Sequence, residues 1–199
     1  MKVVPLRSPE PMYSGWSYLV LGEWNRLEDV NTLIDTGTDG SIVDLLPTIY
    51  TGVGKHQVDL VLLTHTHFDH AGGVSRIVGK FSCPVCAATP SEGVTRIVRD
   101  GEILRVGDGK AEIMLCSEHS NDSVCIYIHE EGILFSGDTP LVIRSPGGSY
   151  GEDFLLLLRR LARLPVRAIY SGHDAPVLSG ARELILSTLA AVEDSTIIF

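Results

Sequence analysis

The chain has 199 residues, 44% hydrophobic and 21% charged, which is enough for one well-buried core and short for two. Its 20 glycines and 10 prolines are scattered and no heptad pattern persists, which excludes disordered, collagen-like and coiled-coil classes. A formal charge of -9 repels polyanions at long range, so neither nucleic acid nor an anionic membrane surface is an expected partner.

The longest apolar runs, such as Leu60 to Leu63 and Phe154 to Leu158, fall far short of the roughly 20 residues that cross a bilayer. Near the N-terminus Pro5 and Arg7 interrupt the stretch that a signal peptide would need to be apolar. The expectation is a cytoplasmic protein with a single domain over residues 1–199. The four cysteines Cys83, Cys86, Cys116 and Cys125 are too few for a disulfide scaffold, and reduced thiols are expected. Cys83-Pro-Val-Cys86 has metal or redox spacing, but no second pair accompanies it, and buried structural cysteines are the preferred reading.

In chain order, Lys2 to Leu6, Trp16 to Leu21 and Asn31 to Ile34 have strand character, joined by turns around Pro11 and Gly22, and predict an antiparallel opening sheet. In Asp39 to Tyr50 the residues Ile42, Leu45, Leu46 and Ile49 follow helical spacing despite Pro47, and Gly52 and Gly54 end the segment. Val58 to Thr64 is nearly all apolar, as in a strand covered on both faces, and Gly72 to Val78 reads as the following helix. After Pro84 to Ala88, the segments Ile103 to Val106, Ala111 to Cys116, Ser123 to His129 and Gly132 to Ser136 predict consecutive strands, with a hairpin turn at Glu130-Glu131-Gly132. Asp153 to Leu164 places Phe154, Leu157, Leu158, Leu161 and Leu164 on one helical face, stopped by Pro165, with its arginines facing water. Val166 to Tyr170 is a last strand and Ser179 to Val192 a last helix capped by Ser179. Strands followed by helices in both halves suit two packed sheets with helices on both outer surfaces, and polar loops at strand ends to form a site.

The chemistry concentrates in Thr64-His65-Thr66-His67-Phe68-Asp69-His70, three histidines and a carboxylate at the end of an apolar strand. Residues two apart in extended chain point the same way, so His65 and His67 converge on one ion, while Asp69 and His70 diverge toward another. A first-row divalent ion needs about three or four protein ligands, so further donors must come from other loops. Each of His119, Asp138 in Phe135-Ser-Gly-Asp-Thr139, and His173 in Ser171-Gly-His-Asp174 sits just beyond an apolar strand. His56 and His129 fall outside this pattern and read as ordinary polar residues. Asp35, in Leu33-Ile-Asp-Thr-Gly37, is either a turn residue or an acceptor that orients a liganding imidazole through its other ring nitrogen.

The order LIDTG, THTHFDHAGG, the His119 loop, FSGD and SGH resembles the metallo-beta-lactamase-fold superfamily of hydrolases over nearly the whole chain. The resemblance implies an α+β fold, a four-layer αβ/βα sandwich of two mostly antiparallel sheets with helices on both outer faces. It also implies that His65, His67 and His119 hold one metal, that Asp69, His70 and His173 hold a second, and that Asp138 bridges them. Asp138 stands where the lactamases proper usually have Cys or Ser, so the site looks more like that of glyoxalase II, lactonases and ribonuclease Z. The short tail after His173 resembles short glyoxalase II-like proteins that lack the C-terminal substrate domain. Around His119 this chain has Glu118, Asn121 and Asp122 where the family often has Gly before the histidine and Pro-Gly soon after.

The implied function is a metal-dependent hydrolase in which a hydroxide bridging two divalent metals cleaves a small thioester or ester, with Asp69 and Asp138 as catalytic residues. Zinc is the expected metal, with iron or manganese as alternatives, and the expected partner is a small-molecule substrate. Arg144, in the loop after Asp138, is either a ligand for a substrate carboxylate or a solvated arginine. Two other readings use the same residues. One is an oxidoreductase resembling the persulfide dioxygenases, with a single iron on His65, His119 and Asp138. The other is a metal-dependent phosphodiesterase or nuclease, which the acidic chain disfavours.

Overall fold

A strand sends successive side chains to opposite faces, and here the two faces of each central strand enter different cores. In the computed structural model of the chain, which describes residues 1–7, 15–143 and 147–198, strand β2 (Trp16–Leu21) buries Tyr18 and Val20 on one face and Leu19 and Leu21 on the other. With β1 (Lys2–Arg7), β3 (Thr32–Ile34), β4 (Leu60–Leu62), β5 (Val85–Ala87) and β6 (Arg96–Ile97) it forms a six-stranded sheet in sequential order. A second sheet contains β7 (Ile103–Val106), β8 (Gly109–Leu115), β9 (Val124–Ile128), β10 (Ile133–Gly137) and, beyond β10, β12 (Ala168–Ser171). Separately, β11 (Ser149–Gly151) pairs in parallel with β13 (Thr196–Ile198).

Between the sheets, Tyr18, Ile34 and Leu62 meet Ile113, Ile126 and Phe135. The outer face of the first sheet packs Leu19, Leu33 and Val61 against Val74 and Ile77 of α2 (Val74–Phe81), which follows the short α1 (Phe68–Ala71). The outer face of the second packs Cys125, Tyr127 and Leu134 against Phe154 and Leu158 of α3 (Glu152–Leu161) and Ile185 and Val192 of α4 (Ala181–Glu193). The result is helix, sheet, sheet, helix, the expected α+β sandwich.

The differences from expectation are local. The first sheet is mixed: β1, β2 and β3 are antiparallel, whereas β3 through β6 are parallel, because crossover segments rather than hairpins connect them. The second is antiparallel except for the β10/β12 pair. Residues 39–50 form two 3-10 turns, Ser41–Asp44 and Leu46–Thr48, not an α-helix; Pro47 lacks the N–H a continuing helix needs, yet Ile42 and Leu46 still reach the core. Ser179 is not a cap, since α4 begins after Gly180 at φ 70 without a side-chain cap bond. Arg159 pairs with Glu193 at the surface, but Arg160 lies half-buried against Glu112 (2.5 Å) and Asp100 (3.1 Å) instead of facing water. The two- and three-residue strands β6, β11 and β13 are too short to carry a period in the sequence.

Cys83 and Cys86 are buried free thiols that enter different cores, one on the helix-covered face and one between the sheets, and burial raises both above the usual thiol range. That placement fits the structural reading. The expected turn at Pro11 and the candidate Arg144 lie outside the described residues. Among the described residues no helix is long and apolar enough to cross a membrane.

The packing of α3 generates a paired test. Phe154 is fully buried whereas Leu156 is 56% exposed. Phe154→Ala is expected to cost about 3–5 kcal/mol in urea denaturation and Leu156→Ala less than about 1 kcal/mol.

Candidate metal centre

Four separate stretches of chain converge at one site. His65 and His67 lie between β4 and α1, Asp69 and His70 on α1, His119 between β8 and β9, Asp138 directly after β10, and His173 just after β12. The structure brings all seven predicted donors together in two groups, His65, His67 and His119, and Asp69, His70, Asp138 and His173; within each, the donor atoms lie within 4.8 Å of one another. His67 Nδ1 and His119 Nε2 are 3.0 Å apart, and Asp69 Oδ2 is 3.1 Å from His173 Nε2. Asp138 stands between the groups. Its Oδ2 is 3.2 Å from His173 Nε2, 3.6 Å from His119 Nε2 and 4.0 Å from His65 Nε2, and its Oδ1 is 3.3 Å from His70 Nε2.

Asp35 is buried at φ 58, a left-handed conformation that Asp tolerates better than most residues. Its carboxylate accepts from Thr64 N (2.7 Å), Thr64 Oγ1 (2.8 Å) and His70 Nδ1 (2.8 Å). This assigns two tautomers. Thr64 has one hydroxyl proton, spent on Asp35, so Thr64 Oγ1 must accept from His65 Nδ1 at 3.1 Å. Both His65 and His70 therefore aim Nε2 into the site. Of the two readings of Asp35, the orienting acceptor is the one its geometry fits.

The site has a charge problem that a cation resolves. The buried atoms His65 Nε2, His70 Nε2 and Asp138 Oδ1 have no hydrogen-bond partner; the 3.3 Å approach of the last two is an ion-pair distance without hydrogen-bond geometry. Burial, helped by nearby His70, pushes His65 down to about 4, and burial also lowers His119. For His70 burial opposes the charge, but Asp35 and Asp138 outweigh it and lift the imidazole to about 10. The hydrogen bond with Asp138 raises His173. Burial works against ionisation of Asp138, yet His173 and His70 hold its carboxyl far below the usual range. Unpartnered nitrogen and oxygen donors converging on a common space fit divalent cations.

Two glycines explain their motifs. A Cβ on Gly172 would lie 2.2 Å from Asp138 Oδ1, and one on Gly137, at φ 50, would lie 2.7 Å from Thr64 Oγ1. Side chains there would push Asp138 or Thr64 out of place. Gly172 is held in turn by Trp16 N (2.6 Å) on its carbonyl, and Tyr18 donates its hydroxyl to Ser171 O at 2.5 Å.

Asp122 is a site residue that the sequence marked only as a departure from the family pattern. Its Oδ2 accepts from Thr66 N (2.8 Å) and Thr66 Oγ1 (2.6 Å), and its Oδ1 from Ser120 Oγ (2.7 Å). It thereby ties the residue between His65 and His67 to the residue after His119. Burial opposes its charge, but these hydrogen bonds outweigh it and lower its pKa. The other departure, Glu118, accepts from Gly151 N at 2.9 Å and anchors the same loop to the start of α3. His129 pairs with Glu112 at 2.7 Å and the His56 carbonyl accepts from Asn31 Nδ2, both as ordinary polar residues.

Removing either carboxylate strands its donors. Asp35→Ala and Asp122→Ala are each expected to lose about 1–3 kcal/mol in thermal or urea denaturation. Asp35→Ala is also expected to weaken divalent-cation affinity about 10–100-fold in a chelator competition, because it frees the His65 and His70 rings.

Comparison with known proteins identifies the family. The sequence profile of the metallo-beta-lactamase superfamily matches residues 12–96 and 87–173. An atrochrysone carboxyl ACP thioesterase of Aspergillus fumigatus is 30% identical over 73% of this chain and 47% of its own length. A probable hydroxyacylglutathione hydrolase of Schizosaccharomyces pombe is 33% identical over 73% of this chain and 59% of its own length. This chain thus spans about half the length of these curated relatives. Among solved structures, a metallo-beta-lactamase family protein of Thermus thermophilus superposes with a TM-score of 0.62 at 24% identity, over 95% of this chain and 78% of its own. Since the profile match takes in every one of the seven donor positions, the chain belongs to the metallo-beta-lactamase superfamily.

Proposed function

We propose that the protein is a hydrolase of small thioesters or esters, with one divalent cation on His65, His67 and His119, a second on Asp69, His70 and His173, and Asp138 reaching both. The observation that carries this reading is the place of Asp138, whose carboxylate lies within 4.0 Å of nitrogens from both donor groups. Bound there, two cations supply a water nucleophile active at neutral pH and polarise the carbonyl under attack. The donor set, imidazole and carboxylate without thiolate, suits zinc as first choice, with iron or manganese as alternatives.

The chain's own residues set the geometry and move the proton. Asp35 fixes His70 directly and His65 through Thr64, so neither ring turns during turnover. Asp69, whose Oδ2 lies 3.1 Å from His173 Nε2, has a second role in this proposal: its carboxylate takes a proton from the attacking water and returns it to the leaving sulfur or oxygen. The balance is simple: the C–S or C–O bond breaks, water oxygen becomes part of the carboxylic acid, and the thiol or alcohol leaves with a proton.

The names of the curated relatives, a thioesterase and a hydroxyacylglutathione hydrolase, support thioesters as the first class to test. The complete second donor group weighs against a single-iron dioxygenase, and the charge of -9 weighs against a nuclease. We propose that residues 1–199 form one domain in a cytoplasmic protein, a reading that the four buried free cysteines support.

In a direct assay, protein loaded with zinc, iron or manganese should cleave a thioester without oxygen uptake. Asp69→Asn should lower kcat by about 10²–10⁴. Metal content below one equivalent, with no response to added metal, would overturn the reading. A pH test is independent of turnover. Asp35 and Asp138 raise the His70 imidazole well above its ordinary range, so a cation on His70 displaces a proton, and affinity measured between about pH 6 and 9 should rise with pH. Calorimetry in buffers of different ionisation enthalpy reads this release; an affinity flat across that range would contradict the proposed ligands.

A further inference from the structure

Beside the donor cluster a cavity of about 310 Å³ opens between the loop after β10 and the connection from β12 to α4. Its lining includes the donors His119, Asp138 and His173 and the hydroxyl residues Ser136, Thr139 and Ser171, while the apolar part of the wall is formed chiefly by Leu141, Val142, Ile169, Val177 and Leu184. This wall is built into the fold. Leu141 is 4% exposed and its carbonyl accepts from Thr188 Oγ1 of α4 at 2.5 Å, while Ile169 and Val177 exchange both backbone hydrogen bonds at 2.9 Å. The remaining charge on the lining is a carboxylate, Asp174; no lysine or arginine lines the cavity among the described residues.

We infer that this cavity receives the acyl half of the substrate, and that the acyl group is apolar and uncharged. The inference rests on the thioester or ester reading and deepens it by naming the substrate class. Thiol carriers bear amides, carboxylates or phosphates, which need donors that an aliphatic wall does not offer. An acyl chain needs none beyond its carbonyl, and the donors His119, Asp138 and His173 line the same cavity. At about 30 Å³ for each water-sized volume the cavity holds on the order of ten such units, which suits a chain of roughly six to eight carbons. A second carboxylate on the acyl group would be desolvated against the apolar residues with no lysine or arginine among the described lining residues to pair it.

The test uses metal-loaded protein and acyl thioesters that share one thiol, N-acetylcysteamine, with acetyl, butyryl, hexanoyl, octanoyl, lactoyl and succinyl groups. The expected result is a rise in kcat/KM of up to about fourfold per methylene from acetyl to hexanoyl, with succinyl a poor substrate. Val142 is 45% exposed and tolerates change, so Val142→Lys should improve succinyl relative to hexanoyl, and Leu184→Trp should shorten the preferred chain. Cleavage with a flat chain-length profile, or with succinyl or lactoyl preferred, overturns the acyl-pocket inference while leaving thioester hydrolysis in place. If no thioester or ester is cleaved, the proposed function fails, and the cavity is judged separately by titrating hexanamide into metal-free protein. Shifts in the methyl resonances of Leu141, Val142, Val177 and Leu184 then support an apolar-chain site, and unmoved methyls overturn it.

Discussion

The Asp35 carboxylate is the point on which the site depends. Three donors converge on it, two from Thr64 and one from His70, and a fourth group, His65, is oriented through the Thr64 hydroxyl. Without that acceptor the His65 and His70 imidazoles would be free to turn or to change tautomer. Thr64 also gives its carbonyl to Val124 N at 2.8 Å, so the same residue joins the first sheet to β9 of the second. Site order and the register between the sheets are thereby one problem with one solution.

Around this centre each loop is fixed by a different local device. Asp122 ties the His65–His67 turn to the His119 loop, Gly137 and Gly172 leave room for Thr64 and Asp138, and Tyr18 and Trp16 brace the backbone that carries His173. The price is an accumulation of buried charge. Carboxylates lift His70 and His173, while burial pushes His65 down to about 4 and lowers His119. Preorganisation of this kind lets donors bind without rearrangement, and it places the apolar cavity at a fixed distance from the reacting end.

Much of this was readable from the sequence because the signals were dense. Three histidines and an aspartate within six positions have little structural explanation, and the other donors each follow an apolar strand, where α/β and sandwich folds expose side chains at sheet ends. The long strands were clear because whole runs such as Val124–Ile128 are buried on both faces. Other features depend on three-dimensional contact and left weaker marks. The parallel pairing of β3 to β6 follows from crossover geometry, the 3-10 turns of residues 41–48 keep helical spacing of Ile42 and Leu46 without the helix, and Gly180 displaces Ser179 as the start of α4. The role of Asp122 was visible only as an unusual residue, because its partners Thr66 and Ser120 reveal themselves when the two loops meet.

The central claim, that two donor groups sharing Asp138 hold a pair of cations, is tested most directly by anomalous scattering from crystals of zinc-loaded protein. The account predicts two peaks about 3.5–4 Å apart, one among His65, His67 and His119 and the other among Asp69, His70 and His173, with Asp138 touching both. A single peak, or two peaks at positions that leave Asp138 uncoordinated, would contradict it.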